Sequence, residues 1–211
     1  MLLRGYPNLY LGHHPPHILV AFSVLSCSGA SFKPRVQFRV VRRIPPPAGW
    51  YKLNTDESAL GNPHPSGGGG ICRNESRELI FAFSRGYGVG PNNAAELRAI
   101  SDGLSLCTSS GLKAVEVETD SRLVVGMING VSLSSSKWKL WLNQIANSSH
   151  SSSSIFRAIF REGNAPVDTV ARLGSSSQVN VNYSATKDLP RVTLGLTFLD
   201  KVGLGSLREC R

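Results

Sequence analysis

The sequence predicts an α/β domain on a mixed five-stranded sheet, an antiparallel meander followed by parallel strands, with helices flanking it. Three observations carry this expectation. Between Trp50 and Phe83, short runs rich in aromatic and β-branched residues alternate with turn-forming clusters. From Asn93 to Ser110, apolar residues recur at three- and four-residue steps. Beyond Gly111, strand-like and helix-like stretches alternate in the βα order that builds parallel sheets.

Each element has its own local reason. Trp50 to Asp56 reads as the first strand and ends in the turn-rich stretch Gly61-Asn62-Pro63-His64-Pro65-Ser66. Gly67 to Gly70 leads into a second strand, Ile71-Cys72-Arg73, and a turn at Asn74-Glu75-Ser76-Arg77 returns the chain as Leu79 to Phe83. No Gly-Lys-Ser/Thr follows the glycine run and no helix opens after it, so strand packing explains it better than a phosphate loop. Ala94, Leu97, Ile100, Leu104 and Cys107 give one face of a helix stopped by Gly111. Val115 to Asp120 alternates as a strand, and Ser121 can cap a helix running to Gly130. Serines 132 to 136 read as a loop, Lys137 to Asn147 as a helix, Ser148 to Ser154 as a low-complexity loop, Ile155 to Arg161 as a strand, and Ala165 to Leu173 as the last helix.

The chain has 211 residues, enough for one globular domain with flanking segments. Its formal net charge of +9 suggests a polyanionic partner, but the charge is unevenly spread. Residues 1–49 hold Arg4, Lys33, Arg35, Arg39, Arg42 and Arg43 and no acidic residue, whereas the remainder is only mildly basic. Prolines and histidines interrupt any period in that segment, and Pro45-Pro46-Pro47 closes it as a stiff linker. The expectation is a basic, disordered leader (1–49), a domain (50–174) and a C-terminal extension (175–211). The leader is compatible with an organellar transit peptide, and its apolar run Ile18 to Leu25 is too short to span a bilayer. The four cysteines are too far apart for zinc-type pairs or a dense disulfide framework, which points to a reduced intracellular setting, whether nucleus, cytoplasm or organelle.

Acidic residues are scarce, so their positions matter. Asp56 ends the first strand, Glu96 falls in the first turn of the first long helix, Asp120 ends the fourth strand, and Asp168 lies near the start of the last helix. Singly, each has an ordinary structural reading as a turn former, a dipole partner or a cap. Together they can converge on one rim of a sheet. Four carboxylates there supply the oxygen ligands and negative charge that hold a pair of Mg²⁺ ions for phosphodiester cleavage.

Four ordered motifs carry a resemblance: Thr55-Asp56-x-Ser58-x-Leu60-Gly61-Asn62-Pro63, Asn92-Asn93-Ala94-Ala95-Glu96-Leu97, Thr119-Asp120-Ser121, and Arg161-Glu162-x-Asn164-x-x-x-Asp168. Over about Leu53 to Gly174 the chain resembles the type 1 ribonuclease H domain, in its plant branch related to retrotransposon reverse transcriptases. The resemblance implies a ribonuclease H-like fold and a metal site made of Asp56, Glu96, Asp120 and Asp168. It implies two Mg²⁺, with Mn²⁺ as a substitute, and endonucleolytic cutting of the RNA strand of RNA–DNA hybrids to 5′-phosphate and 3′-hydroxyl ends. Asn62 and Asn93 match positions that reach the minor groove, where the 2′-hydroxyl marks RNA. Ser58 and Ser121 fall at further substrate-binding positions of the same motifs.

Several residues depart from the family pattern. Glu57 stands where glycine usually follows the first Asp, Pro91 replaces a hydroxyl residue that helps seat a DNA phosphate, and no histidine lies just before Asp168, His150 being the nearest. Three readings therefore stay open: a metal-dependent hybrid nuclease, a catalytically impaired nucleic-acid-binding domain, and a protein-interaction scaffold. The tryptophans of Lys137-Trp138-Lys139 and Trp141 read as core rather than as base-stacking platforms.

Overall fold

The computed structural model describes residues 37–59, 61, 64–132 and 136–210; Asn62 and most of the expected leader lie outside the described residues. Along the chain come β1 (Gln37–Val41), β2 (Tyr51–Ala59), β3 (His64–Arg73), β4 (Leu79–Gly90), α1 (Asn92–Ser109), β5 (Ala114–Thr119) and α2 (Arg122–Ile128). There follow α3 (Lys139–Ser151), β6 (Ser153–Ala158), α4 (Ala165–Ser177), β7 (Val181–Tyr183), α5 (Arg191–Lys201) and β8 (Ser206–Cys210). β1 and β8 pair as a two-stranded sheet, in a small unit described through residues 37–40 and 207–210. The larger unit is Val41–Ser206.

The larger unit is built on a mixed sheet of order β6-β5-β2-β3-β4-β7. β2, β3 and β4 form the antiparallel meander, with Asp56 opposite Gly69. β5 runs parallel to β2, and β6 parallel to β5. The sheet has six strands rather than the expected five, because Val181–Tyr183 of the C-terminal segment pairs antiparallel with β4. Side-chain chemistry holds that short strand in place: the Arg85 guanidinium donates to the Val181 carbonyl at 2.8 Å and to Asn182 Oδ1 at 2.6 Å.

The pleat sends alternate residues to two cores. Cys72, Phe81 and Phe83 join Leu53, Val115 and Val117 under α1, α2 and α3, where Leu97, Ile100, Leu104, Val124 and Ile145 close the layer. Ile71 and Ala82, the intervening residues, face Val167 and Val170 of α4 and Leu189 just before α5. Each fully buried aliphatic or aromatic side chain contributes about 1.5–3 kcal/mol. Trp138 and Trp141 pack against the first core, as their sequence context suggests.

The glycine run is part of β3 itself. A Cβ on Gly67 would fall 2.2 Å from the Ser175 nitrogen, one on Gly69 2.7 Å from the Ala171 nitrogen, and one on Gly70 2.3 Å from the Phe83 ring. Glycine lets the backbone of α4 rest almost directly on the strand.

Several boundaries differ from the sequence expectation. α3 runs on through the serines at 148–151, and β6 begins at Ser153, so no serine loop separates them. The serine hydroxyls return hydrogen bonds to the carbonyls four residues earlier, Ser149 to Ile145 at 2.8 Å and Ser151 to Asn147 at 3.3 Å, which lets a polar run stay helical. Pro91 stands at the N-cap of α1, which places Glu96 beyond the first turn rather than in it. Of the basic residues counted in the acid-free segment, Arg43 is buried against Asp200 at 3.5 Å, and its residue belongs to the larger unit. Among the described residues, no helix is long and apolar enough to cross a membrane.

Gly67→Ala is expected to lower the unfolding free energy by about 1–3 kcal/mol or more, because the clash is with backbone rather than with a movable side chain. Gly195→Ala, in an exposed helical position with no atom within 4 Å, is expected to be neutral or stabilising. Urea denaturation of the two variants beside the wild type checks both.

Candidate metal centre

Asp56, Glu96 and Asp120 come from three different elements and meet at one rim of the sheet. Each offers a carboxylate oxygen, and the three atoms lie within 4.8 Å of one another. Asp56 sits near the end of the central strand β2, Glu96 points from α1, and Asp120 is the first residue past β5. β2 and β5 are neighbours in parallel, so their carboxyl-proximal ends open on the same side.

Asp56 is 4% and Glu96 2% exposed, values at which a carboxylate ordinarily has a cationic partner. Neither forms a salt bridge among the described residues. Asp56 Oδ1 accepts from the Glu57 backbone N–H at 3.0 Å, and a Glu96 oxygen accepts from the Thr119 hydroxyl. The other two oxygens, Asp56 Oδ2 and Glu96 Oε2, are buried without a hydrogen-bond donor.

The electrostatics follow from that placement. Burial pushes the Asp56 carboxyl up to about 9, and the charges of Glu96, Asp120, Asp168 and Glu57 add to the rise. Glu96 is pushed up to about 8, chiefly by burial, against the opposing hydrogen bond from Thr119. Burial also raises Asp120 and Glu57; each is partly relieved by the Arg161 guanidinium, whose Nε stands 3.9 Å from Asp120. Unpartnered, buried, hard oxygen donors whose charges repel are the donor set that a divalent cation such as Mg²⁺ satisfies. The residues present fit such an ion.

The other expected site residues have mixed fates. Asp168, in the first turn of α4, is close enough to raise the Asp56 and Asp120 carboxyls but is not one of the three clustered carboxylates. Its carboxylate is held in a fork by Arg172, at 2.7 Å to Nη2 and 3.1 Å to Nε. That exposed pair is worth about 0–1 kcal/mol, so it restrains Asp168 only lightly. Asn93 is half-buried at the opening of α1. The Ser58 hydroxyl takes a 3.1 Å hydrogen bond from Ser175, and Ser121 caps α2 by accepting from the Val124 N–H at 3.3 Å. His150 lies in the last turn of α3, with Nδ1 2.6 Å from the Ala146 carbonyl.

Two hydrogen bonds at the site escape sequence reasoning. Thr119 orients Glu96 through a hydroxyl that belongs to a different element, and Glu57 supplies a backbone donor to the residue beside it. Thr119 stands in a quoted motif and Glu57 is a named departure from one, but the pairing of Thr119 with Glu96 depends on how α1 crosses the sheet.

A family model described as reverse transcriptase-like matches residues 54–174, more than half of the chain. A curated Arabidopsis thaliana relative named as a ribonuclease H protein is 33% identical over 96 residues, which span 46% of this chain and 15% of that much longer protein. Among solved structures, LC11 ribonuclease H1, isolated from compost and solved with an RNA/DNA hybrid, matches with a TM-score of 0.56 and 27% identity, over 60% of this chain and 97% of its own. The N-terminal ribonuclease H domain of a Mycobacterium tuberculosis protein matches with a TM-score of 0.57 and 22% identity, over 60% of this chain and 99% of its own, a likeness of fold.

Because Asp56 titrates near 9 in the folded chain and near 3.8 when exposed, the folded state holds a proton across that window that the unfolded state has lost. Without divalent ions, stability should fall as pH rises from about 4 to 9. Asp56→Asn should flatten that slope and melt above the wild type at pH 8. Mg²⁺ should raise the wild-type melting temperature by several degrees and leave that of Asp56→Asn almost unmoved; thermal melts across pH, with and without the ion, check all three expectations.

Proposed function

Since the chain belongs to the reverse transcriptase-like family of ribonuclease H-like domains, we propose that it is a metal-dependent endonuclease that cuts the RNA strand of RNA–DNA hybrids. The observation that carries this reading is the pair of buried, donorless oxygens, Asp56 Oδ2 and Glu96 Oε2, beside the Asp120 carboxylate. A fold that only needed a stable core would not gather three carboxyl groups, two of them buried, in one place.

Asp56, Glu96 and Asp120 would hold the ion, with Asp168 at the open side contributing once its light pairing with Arg172 is released. A pair of Mg²⁺, or of Mn²⁺, would supply an activated water and charge neutralisation at the scissile phosphate, leaving 5′-phosphate and 3′-hydroxyl ends. Thr119 and the Glu57 N–H each hold one oxygen of the first two carboxylates and leave the other without a donor. Asn93 at the opening of α1, with Asn62, would read the 2′-hydroxyl in the minor groove, and Ser58 and Ser121 would flank the RNA backbone. The hybrid in the LC11 ribonuclease H1 complex supports the substrate class.

Glu57 modulates this site rather than abolishing it. Its backbone N–H serves Asp56 whatever the side chain, while its half-buried carboxylate adds negative charge beside Asp120 and Asp168.

Asp56→Asn is expected to lower hybrid cleavage by more than about a hundredfold while leaving hybrid affinity nearly intact, since it strikes the ion and not the groove contacts. Glu57→Gly is expected to cut at least as fast as the wild type. A labelled RNA–DNA hybrid incubated with each protein and Mg²⁺ or Mn²⁺, beside a binding assay, checks both; full activity in Asp56→Asn would overturn the assignment.

A further inference from the structure

Asn164 immediately precedes α4 and is fully buried. Asparagine at such a position usually turns its side chain onto the helix to cap it, and here it makes no cap bond. Its Nδ2 instead donates to the Thr55 carbonyl at 2.8 Å, across 109 residues of chain. Thr55 precedes Asp56, and it lies one residue beyond the last register pair of β2 with β5, Asn54 with Glu118. A buried carbonyl at that point needs a donor, and the Asn164 side chain provides one just beyond the end of the pairing with β5.

The main chain of the same residue holds the other side. Its carbonyl accepts from the N–H groups of Val167 at 2.9 Å and Asp168 at 3.1 Å, and its own N–H donates to the Arg161 carbonyl at 2.8 Å. The amide can face only one way, because reversal would set two acceptor oxygens against each other. Asn164 is thus bonded by its side chain to the peptide before Asp56 and by its backbone to the turn that carries Asp168.

We infer that Asn164 is a positioning residue that fixes the start of α4, and with it Asp168, relative to Asp56. The inference rests on the reading of these carboxylates as a nuclease site. Among the described residues no other side chain bonds the Thr55 carbonyl, and a shorter residue at this position would not reach it.

Asn164→Ser keeps a capping hydroxyl but loses the reach, and Asn164→Asp keeps the shape but loses the donor. Both are compared with the wild-type full chain at a temperature where circular dichroism reports all three folded. The expected result is a fall in kcat of about a hundredfold with KM for the hybrid changed by less than about twofold, as loss of alignment without loss of groove contacts requires. Amide exchange at Val167 and Asp168 should also quicken about tenfold or more while the rest of α4 and the sheet keep their protection. Wild-type kcat in a folded variant, or protection lost evenly through the domain, would overturn the inference. If the wild-type chain cuts no hybrid, the nuclease reading fails, and the exchange pattern decides Asn164 by itself: local quickening supports the clamp, and even loss or no change refutes it.

Discussion

Burying Asp56 and Glu96 side by side costs free energy, and the structure around them is arranged to hold them there. Neither can relax toward solvent. Asp56 is set in the central strand, hydrogen-bonded on both sides up to Asn54 and to β3 beyond it, and Glu96 is carried by a helix whose neighbours Leu97 and Ile100 are locked into the main core. The few donors that reach the cluster, the Thr119 hydroxyl and the Glu57 N–H, satisfy one oxygen of each carboxylate and leave the other open. A proton or a divalent cation can complete that set, which makes the rim responsive to both.

The sheet interior treats charge very differently elsewhere along the same strand. Lys52 lies 3.1 Å from Glu116 and 2.6 Å from Glu118, Asn54 donates to Glu118 at 2.9 Å, and Arg73 bonds both Asn54 and Asp200 of α5. Here nearly every buried charge has an opposite partner. Removing one partner from such a network is strongly destabilising, by about 3–5 kcal/mol, because it strands the other. Thus β2 carries a self-satisfied polar network through Lys52 and Asn54, and an unsatisfied acidic cluster at Asp56. That contrast supports the proposed reading of the second as a metal site.

Much of this was legible in the sequence. The meander, the first long helix and the strand that ends just before Asp120 follow from periodicity and turn chemistry, and the glycine run serves packing, as its context indicates. The parts that differ are those where a side chain's hydrogen bond, local or distant, overrides the residue's usual preference. The serines at 148–151 look like a loop because serine favours turns, yet their hydroxyls bond back along α3. Val181–Tyr183 is too short and too plain to announce a strand, and it is one because Arg85, nearly a hundred residues earlier, grips its backbone.

By itself the sequence determined the order of the elements from the meander to α4, the period that assigns residues to each core, and the four motifs that carry Asp56, Glu96, Asp120 and Asp168. Local chain chemistry suffices for those. Only the tertiary structure decided that Asp56, Glu96 and Asp120 share one buried space while Asp168 stands beside it in the grip of Arg172. It alone revealed that two carboxylate oxygens lack donors, and that Asn164 reaches the peptide before Asp56. Burial and hydrogen-bond satisfaction are properties of several elements packed together, and no single stretch of chain encodes them.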